Sequence, residues 1–476
     1  MTERTEKSDR QTAGAGDLRH RWRMVHSVIS KWAFHSPLRQ RLARGTLWSL
    51  AGAVVGKCVG FLTSVASARL LGKIRLGEYA MAQSTAAMLT QFGTFGTGWT
   101  SSKYVAETRD VNADRTAHLM AASILIASVS GMLAAIAHYL AAGWLATHVL
   151  AAPHLAPVLR VASILVWLNS YGGAQNGILT GFEAFRAAAL LQSVLGATGL
   201  PLIVAGAYYA GVRGATVGLV LSTAITTIAG SILVHAEARR RGISLVYLPR
   251  MAELSEVWSF SIPSLLTGLL CVPPAWAVGA LFSRQPDGYG EVGVFNVAVR
   301  WRDLLQFLPT MVSGVALPIM AQLFGTNNRS SFRRVAGLQV LLNVGLVAAM
   351  VMAMLPFAGP LMGVFGQGFA GHFSVLVLAL LTAIPIALTN AVATVVMAAG
   401  KAWWTATGSA IWGATLLAAT PLAVHHGAAG LAACYLTAYV LTAGWYWHCL
   451  SRLSVASGSP GAGALRVPVV APDAAS

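Results

Sequence analysis

The sequence predicts an all-α integral membrane protein with about twelve transmembrane helices in two six-helix bundles. Three observations support this fold class. Of the 476 residues, 56% are hydrophobic and only 10% are charged, whereas soluble domains carry about 25% charged residues. Apolar stretches of roughly 20 residues, long enough to cross a hydrocarbon layer, recur along nearly the whole chain. Motifs in the first half of the chain also recur in the second half.

The predicted spans are helical, because a backbone in lipid must hydrogen-bond to itself and these runs are too long for barrel strands. We place the spans near residues 46–68, 79–101, 118–141, 160–181, 187–210, 214–236, 257–282, 294–322, 336–357, 373–398, 404–424 and 428–450. The resulting units are a basic tail over 1–45, an N-terminal bundle over 46–242, a C-terminal bundle over 251–455 and a disordered tail over 456–476. The polar start and the long apolar run after it are not typical of a cleaved signal peptide.

Lysine and arginine predict the orientation of the spans. If the N-terminus is cytoplasmic, most of the 33 basic residues lie on the cytoplasmic side, which is the usual bias of membrane proteins. Both termini are therefore expected in the cytoplasm. The net charge of +17 then reflects topology, and nucleic acid is not an expected partner. The predicted external loop with Arg69, Lys73 and Arg75 is an exception to this bias. The exception indicates either that the loop has a functional role or that it is a short constrained hairpin.

The basic N-terminal tail has two interpretations. Residues 19–44 mix basic with aromatic and aliphatic side chains, which favours a helix on anionic lipid headgroups. A solvated tail that only sets the topology is an equal alternative.

An internal repeat relates the two halves. Gly77-Glu78-Tyr79 opens the second span and Gly290-Glu291-Val292 opens the eighth, and three further motif pairs follow in the same order. Because each half holds an even number of spans, both halves enter the membrane from the same side and are parallel repeats. Transporters built in this way bind substrate between the two bundles and rock one bundle against the other.

Several ordered motifs between residues 40 and 450 indicate a family. They include Ala68-Arg69-Leu70-Leu71-Gly72 after the first span, Phe260-Ser261-Ile262-Pro263 in the seventh and Ala316-Leu317-Pro318-Ile319-Met320 at the end of the eighth. The set resembles the polysaccharide exporters of the multidrug/oligosaccharidyl-lipid/polysaccharide (MOP) superfamily, the O-antigen flippase (Wzx) type, with its MATE-like architecture. Lys73-Ile74-Arg75 departs from the acidic residues common at this place in the family.

The resemblance implies a function and partners. It implies a transporter in the bacterial inner membrane that turns an oligosaccharide, carried on undecaprenyl pyrophosphate, from the cytoplasmic to the periplasmic leaflet. Besides the lipid-linked oligosaccharide and membrane lipids, it implies a polysaccharide polymerase and a chain-length regulator as partners. The four cysteines show no metal-ligand spacing, and no metal, cofactor or catalytic residue is expected.

Charged residues inside the predicted spans mark the candidate site. An ionised side chain at mid-bilayer costs about 2.5–3.5 kcal/mol unless it faces a wet cavity or a partner. In the eighth span, Asn296, Arg300 and Asp303 fall on one helix face, and Arg300 and Asp303 are close enough to pair. The repeat places Gln83 of the second span opposite Asn296. Lys57 lies in the middle of the first span.

These residues favour a cationic cavity. Lys57, Arg300 and Arg302 would hold a pyrophosphate, because Arg gives forked contacts to phosphate and Lys supplies a mobile charge. The alternative is structural. In that case Arg300 only neutralises Asp303, Arg302 extends outward toward the headgroups, and Lys57 bonds carbonyls of a neighbouring helix.

The acidic residues also have two interpretations. Asp303 is the only acid deep in any predicted span, and it either couples transport to a proton or sodium ion or acts as a fixed counter-ion. Glu78 and Glu291 lie at matching outer entrances of the two bundles. They either form a gate or stabilise helix N-termini.

Two other functions remain open at this stage. A cation-coupled multidrug exporter of the same superfamily needs acids in its cavity, and this chain offers Asp303 and little else. A membrane glycan polymerase or ligase needs a large catalytic loop or an acid/base pair. The longest predicted external loop, near 141–159, offers only His148 and His154. The sequence therefore favours a transporter over an enzyme.

Overall fold

The computed structural model describes residues 37–326 and 328–455, so the prediction of a surface helix in the basic tail and that of a disordered C-terminal tail lie mostly outside the described residues. The described chain is helical and contains no β-strand. Its α-helices are α1 Pro37–Thr94, α2 Thr97–Thr108, α3 Ala113–Trp144, α4 Ala156–Gly181, α5 Phe185–Arg240, α6 Met251–Ser283, α7 Gly288–Leu305, α8 Phe307–Gly325, α9 Arg329–Met354, α10 Ala358–Gly363, α11 Gln367–Ala370, α12 Phe373–Ala398, α13 Ala402–Ala423 and α14 Gly427–Val455.

The predicted all-α membrane fold is confirmed. Eight segments of the described chain are long and apolar enough to cross a membrane. Three of them hold two crossings each, because α1 is kinked at Gly72, α5 is kinked at Gly211, and the segment Trp403–Leu453 is divided between α13 and α14. With α6, which is 33 residues long, the helical segments of the described residues correspond to the twelve spans that the sequence predicts.

The kink at Gly72 turns the chain back on itself without a loop. Its backbone φ is 71° and the residues on both sides are helical, and this left-handed region is readily open to glycine alone. The two arms of α1 then lie side by side, since Gly60 of the first arm and Gln83 of the second line the same cavity. The unusual basic loop of the sequence is therefore a tightly constrained reversal.

The bundle has two ends, which we name from the course of the chain. The terminal end is where the described chain begins and ends, and the distal end is the opposite one. At the distal end the Lys73 amino group lies 2.6 Å from the Asp287 carboxylate. At the terminal end Arg109 pairs with Glu183 at 2.6 Å. Successive spans run in opposite directions, so every second connection lies at the same end of the bundle. Residues from different connections at one end can therefore pair with each other.

The two halves meet where the repeated motifs begin. The second arm of α1 packs against α7 near Gly77 and Gly293. A Cβ at Gly77 would overlap the backbone carbonyl of Tyr289, and a Cβ at Gly293 would overlap that of Lys73. The close approach of the two backbones needs glycine at both positions. Corresponding helices of the two repeats therefore form the centre of the protein.

The eighth predicted span is not one continuous helix. We predicted a single helix over 294–322, but α7 ends at Leu305 and α8 begins at Phe307. Pro309 has no N–H to donate to the carbonyl of Leu305, so the helical hydrogen bonds are interrupted here. The Gln306 side chain instead donates to the carbonyl of Ala383 at 2.7 Å. The helix face that the sequence predicts for Asn296, Arg300 and Asp303 therefore ends with α7.

Candidate functional site

A central cavity of about 330 Å³ lies between the two arms of α1, the two arms of α5, and α7. Its lining is largely polar on the α1 side and is completed by α7 from the other half. The polar lining residues are Thr63, Ser64, Ser67, Tyr79, Gln83, Gln192, Ser222, Asn296 and Arg300. The two halves of the chain thus build one site together.

Three of the residues predicted from sequence meet in this cavity. Gln83 comes from the second arm of α1, and Asn296 and Arg300 come from α7. Their amides and guanidinium group offer hydrogen-bond donors from both halves. Arg300 is the one charged residue among the described residues that line the cavity.

Arg300 has an unpaired atom in a buried position. Its Nε is buried and has no hydrogen-bond partner among the described residues. A buried unsatisfied donor costs about 1–3 kcal/mol, and more when the group is charged. The guanidinium of Arg300 therefore holds an unmet hydrogen-bond donor beside the cavity that this residue lines.

The structural alternative considered from the sequence, in which Arg300 only neutralises Asp303, does not hold. Asp303 pairs with Arg302, whose Nη2 lies 3.0 Å from Asp303 Oδ1. Residues two apart on a helix differ by roughly 200° in direction, so Arg300 and Arg302 leave α7 on nearly opposite sides. Arg300 lines the central cavity, and Arg302 lies on the side of Tyr435 and Tyr439 of α14.

None of the other described residues predicted for the site lines the central cavity. Lys57 follows Gly56, which lines the cavity, but the Lys57 side chain is exposed and does not line it. The Arg302 side chain is only 12% exposed, so it does not extend outward to the headgroups. A role for either residue in binding stays a prediction.

The two glutamates at the distal end each bond within their own half. Glu78 Oε1 lies 2.7 Å from His154 Nε2. Glu291 Oε2 accepts a hydrogen bond from the backbone N–H of Ala428 at 2.6 Å, in the first turn of α14. Glu291 therefore stabilises a helix N-terminus, one of the two roles we considered. A gating role for either glutamate stays a prediction.

Sequence reasoning missed an aromatic cluster that borders the cavity. Phe365 follows α10, is fully buried and lines the cavity. Its ring centroid lies 5.5 Å from that of Phe61 and 6.2 Å from that of Trp301, in edge-to-face contacts. The Trp301 indole donates to the carbonyl of Leu361 at 3.2 Å. No charge or spacing marks these rings in the sequence, because only the fold brings them together.

Gln192 and Ser222 were also missed, although the sequence held a signal. Each is a polar residue inside an apolar run, and each lines the central cavity from α5. Polar residues on a predicted span are equally often used between helices. A polar residue in an apolar run therefore marks a candidate for the cavity lining, but the sequence does not show which of these candidates line the cavity.

Comparisons with known proteins agree with this architecture. The family model for polysaccharide biosynthesis proteins matches residues 42–324. The chain is similar to the EPS I polysaccharide export inner membrane protein EpsE of Ralstonia nicotianae, at 26% identity over 388 residues, covering 79% of this chain and 86% of that protein.

Solved structures show the same fold. The chain is similar to outward-facing and inward-facing structures of a multidrug resistance MATE family transporter of the MOP superfamily. The TM-score is 0.64 for both, at 15% and 17% identity, and each match covers 86% of this chain and 96% of the other. At such identities the likeness shows the fold alone. The chain therefore belongs to the polysaccharide biosynthesis protein family, and it has the MATE-like fold of the MOP superfamily.

Proposed function

We propose that this chain is an inner-membrane flippase, which moves an undecaprenyl-pyrophosphate-linked oligosaccharide from the cytoplasmic to the periplasmic leaflet. The family match and the similarity to a relative named as an inner membrane export protein support polysaccharide export. One observation supports the more specific proposal that the substrate carries a pyrophosphate. Arg300 is the one charge among the described residues lining the central cavity, and its buried Nε has no partner there.

The chemistry of the cavity suits a pyrophosphate. A guanidinium group binds phosphate oxygens through a planar fork of N–H donors, and the attraction strengthens away from bulk water. The amides of Gln83 and Asn296 and the hydroxyl of Ser67 supply uncharged donors around it. A diphosphate held in this way keeps its charge out of the lipid while the polyprenyl chain remains in the bilayer.

The proposed mechanism is alternating access, and the contacts between the halves support it. At the distal end, which we expect to be periplasmic, the Lys73–Asp287 pair joins the halves. At the terminal end, Arg115 lies 2.9 Å from Glu256 of the other half. Opening toward either leaflet requires one set of contacts to break while the other holds. The transport step changes no covalent bond, so no catalytic residue is invoked.

A cation-coupled multidrug exporter fits the cavity less well. Arg300 would repel a cationic drug, and the carboxylate of Asp303 is already paired with Arg302. A polysaccharide polymerase and a chain-length regulator are the partners we propose, because the translocated repeat unit must be polymerised after it crosses.

Complementation of a flippase-deletion strain tests the proposal. The chain is expected to restore surface polysaccharide, and Arg300→Gln is expected to reduce export at least about tenfold, because a charge-assisted contact is lost. Arg284→Gln, an exposed arginine at the distal end, is the matched control and should export normally. Immunoblots of membranes establish that all variants insert equally.

Full export by Arg300→Gln would contradict the proposed function. Efflux of cationic dyes by the wild-type chain, without polysaccharide export, would support the multidrug exporter instead. Glycan transfer by the purified protein would support an enzyme.

A further inference from the structure

A second cavity of about 610 Å³ opens at the distal end. It lies between the reversal at Gly72 and the kink of α5 at Gly211, and Arg75, Glu78, Tyr208 and Tyr209 contribute to its lining. We name it the distal cavity. Neither Arg75 nor the two tyrosines take part in the central cavity, so the proposed function leaves them without a role.

The two tyrosines form an exposed aromatic pair. Tyr208 is 72% exposed and Tyr209 is 83% exposed, and their ring centroids are 5.2 Å apart at an interplanar angle of 83°. They immediately precede the kink in α5, where the backbone of Ala210 and Gly211 leaves the helical conformation. Although the edge of one ring contacts the face of the other, most of the surface of both side chains stays open to a ligand.

Two charged side chains of opposite sign, Arg75 and Glu78, line the distal cavity together with the tyrosine rings. Arg75 is exposed, and Glu78 has a side chain that is 13% exposed and hydrogen-bonded to His154. A guanidinium offers only donors and a carboxylate only acceptors. An anionic headgroup would use Arg75 alone and leave the carboxylate of Glu78 without a ligand contact, and an acyl chain would leave both charges unused. Hydroxyl groups, which donate and accept at once, match both partners.

The combination points to carbohydrate. A pyranose ring presents C–H groups on its faces, which pack on aromatic rings, and hydroxyls at its edge. The guanidinium in this cavity belongs to Arg75. Arg75 is part of the segment Lys73-Ile74-Arg75, where the family resemblance leads us to expect acidic residues. Two tyrosines, one arginine and one glutamate therefore provide both the stacking and the hydrogen bonds that a sugar needs.

The position of the distal cavity relates it to transport. Leu76 and Ile203 line the central cavity, whereas Ala207 and Val212 line the distal one. All four belong to one continuous apolar core, so a layer of packed side chains separates the two cavities. We infer that the distal cavity binds the carbohydrate part of the substrate once it has passed the central cavity, an inference that rests on the proposed function.

Direct binding of sugar to the full-length protein tests this inference. The probe is the set of lipid-free oligosaccharides released by partial acid hydrolysis of the exopolysaccharide of the source strain. Saturation-transfer NMR measures their binding to the detergent-solubilised chain. The double variant Tyr208→Ala/Tyr209→Ala is expected to bind about tenfold more weakly, because two aromatic contacts are removed. Arg75→Gln should weaken binding in the same direction.

Two controls separate this site from the rest of the protein. Tyr139→Ala removes another exposed tyrosine, 52% exposed and outside the distal cavity, and should bind normally. Arg300→Gln should also bind the lipid-free sugar normally, even though its export is expected to fail.

The remaining outcomes overturn the inference. They are unchanged binding by the double tyrosine variant, an equal loss in Tyr139→Ala, no binding by the wild-type chain, or loss of binding in Arg300→Gln, which would place the sugar in the central cavity. Normal export by Arg300→Gln would overturn the proposed function. This result is independent of the NMR measurement of sugar binding, so the two failures can be told apart.

Discussion

The amino group of Lys73 lies 2.6 Å from the carboxylate of Asp287 and joins the two halves of the chain at the distal end. Each residue lies shortly before a Gly-Glu motif of the internal repeat, Lys73 before the one that begins at Gly77 and Asp287 before the one that begins at Gly290. Nearby, the Arg69 side chain donates to the carbonyl of Val364 at 2.9 Å. A protein that releases its substrate at this end must break these contacts in every cycle.

Reversing one charge of this pair is expected to open the distal end. Lys73→Asp places two carboxylates opposite each other, and the repulsion favours separation of the halves. Both side chains are about one-third or more exposed, so the shift is small, about 0.5–1 kcal/mol, or two- to fivefold in population. The measurement is labelling of Ser64→Cys, a lining residue of the central cavity, by a membrane-impermeant maleimide in a cysteine-free background.

The double reversal Lys73→Asp/Asp287→Lys is the control for this prediction. It restores opposite charges and should return labelling to the level of the parent. If labelling stays equally high in the double variant, the effect does not come from the pair.

The charge and the shape of Arg300 are expected to contribute separately to export. Arg300→Lys keeps the positive charge but loses the planar fork, so export should fall between that of the parent and that of Arg300→Gln. Arg302→Lys is the comparison on the same helix and should export more than Arg300→Lys. The reverse order, measured as surface polysaccharide per amount of inserted protein, would assign the substrate to Arg302.

Asp303 is expected to act as a fixed counter-ion of Arg302. Asp303→Asn leaves Arg302, which is only 12% exposed, without its partner. The cost is about 1 kcal/mol, because Asp303 itself is 41% exposed and water screens the pair. Thermal unfolding in detergent measures the loss. The double variant Arg302→Gln/Asp303→Asn should regain stability and retain export.

A different outcome would change the role of Asp303. If Asp303→Asn and the double variant both lose export while remaining stably folded, the carboxylate itself is needed. It would then be assigned to ion coupling, the alternative considered from the sequence.

Glycine at position 77 is expected to be required for the contact between the halves. In Gly77→Ala the new Cβ would overlap the carbonyl of Tyr289, and overpacking of this kind costs about 1–3 kcal/mol. Gly345→Ala is the matched control, since a Cβ there meets nothing within 4 Å and alanine favours the helix. Equal melting temperatures for the two variants would contradict the close approach.

The amino-acid sequence alone determined the architecture. Long apolar runs, basic residues concentrated on one predicted side and two sets of repeated motifs predicted the all-α membrane fold, because lipid leaves a chain few ways to satisfy its backbone. The same motifs indicated the family. Helical periodicity also placed Asn296 and Arg300 on one face of α7, and both line the central cavity.

The tertiary structure decided which side chains meet. Sequence spacing allowed Arg300 to pair with Asp303, but Asp303 pairs with Arg302, since the direction of a long side chain depends on neighbours from other helices. The aromatic contact of Phe61 with Phe365 joins residues far apart in the chain, and the tyrosines of the distal cavity meet Arg75 and Glu78 only because α5 packs against α1. Patterns in a sequence follow single helices, whereas a site arises where several helices cross, and only their packing fixes that geometry.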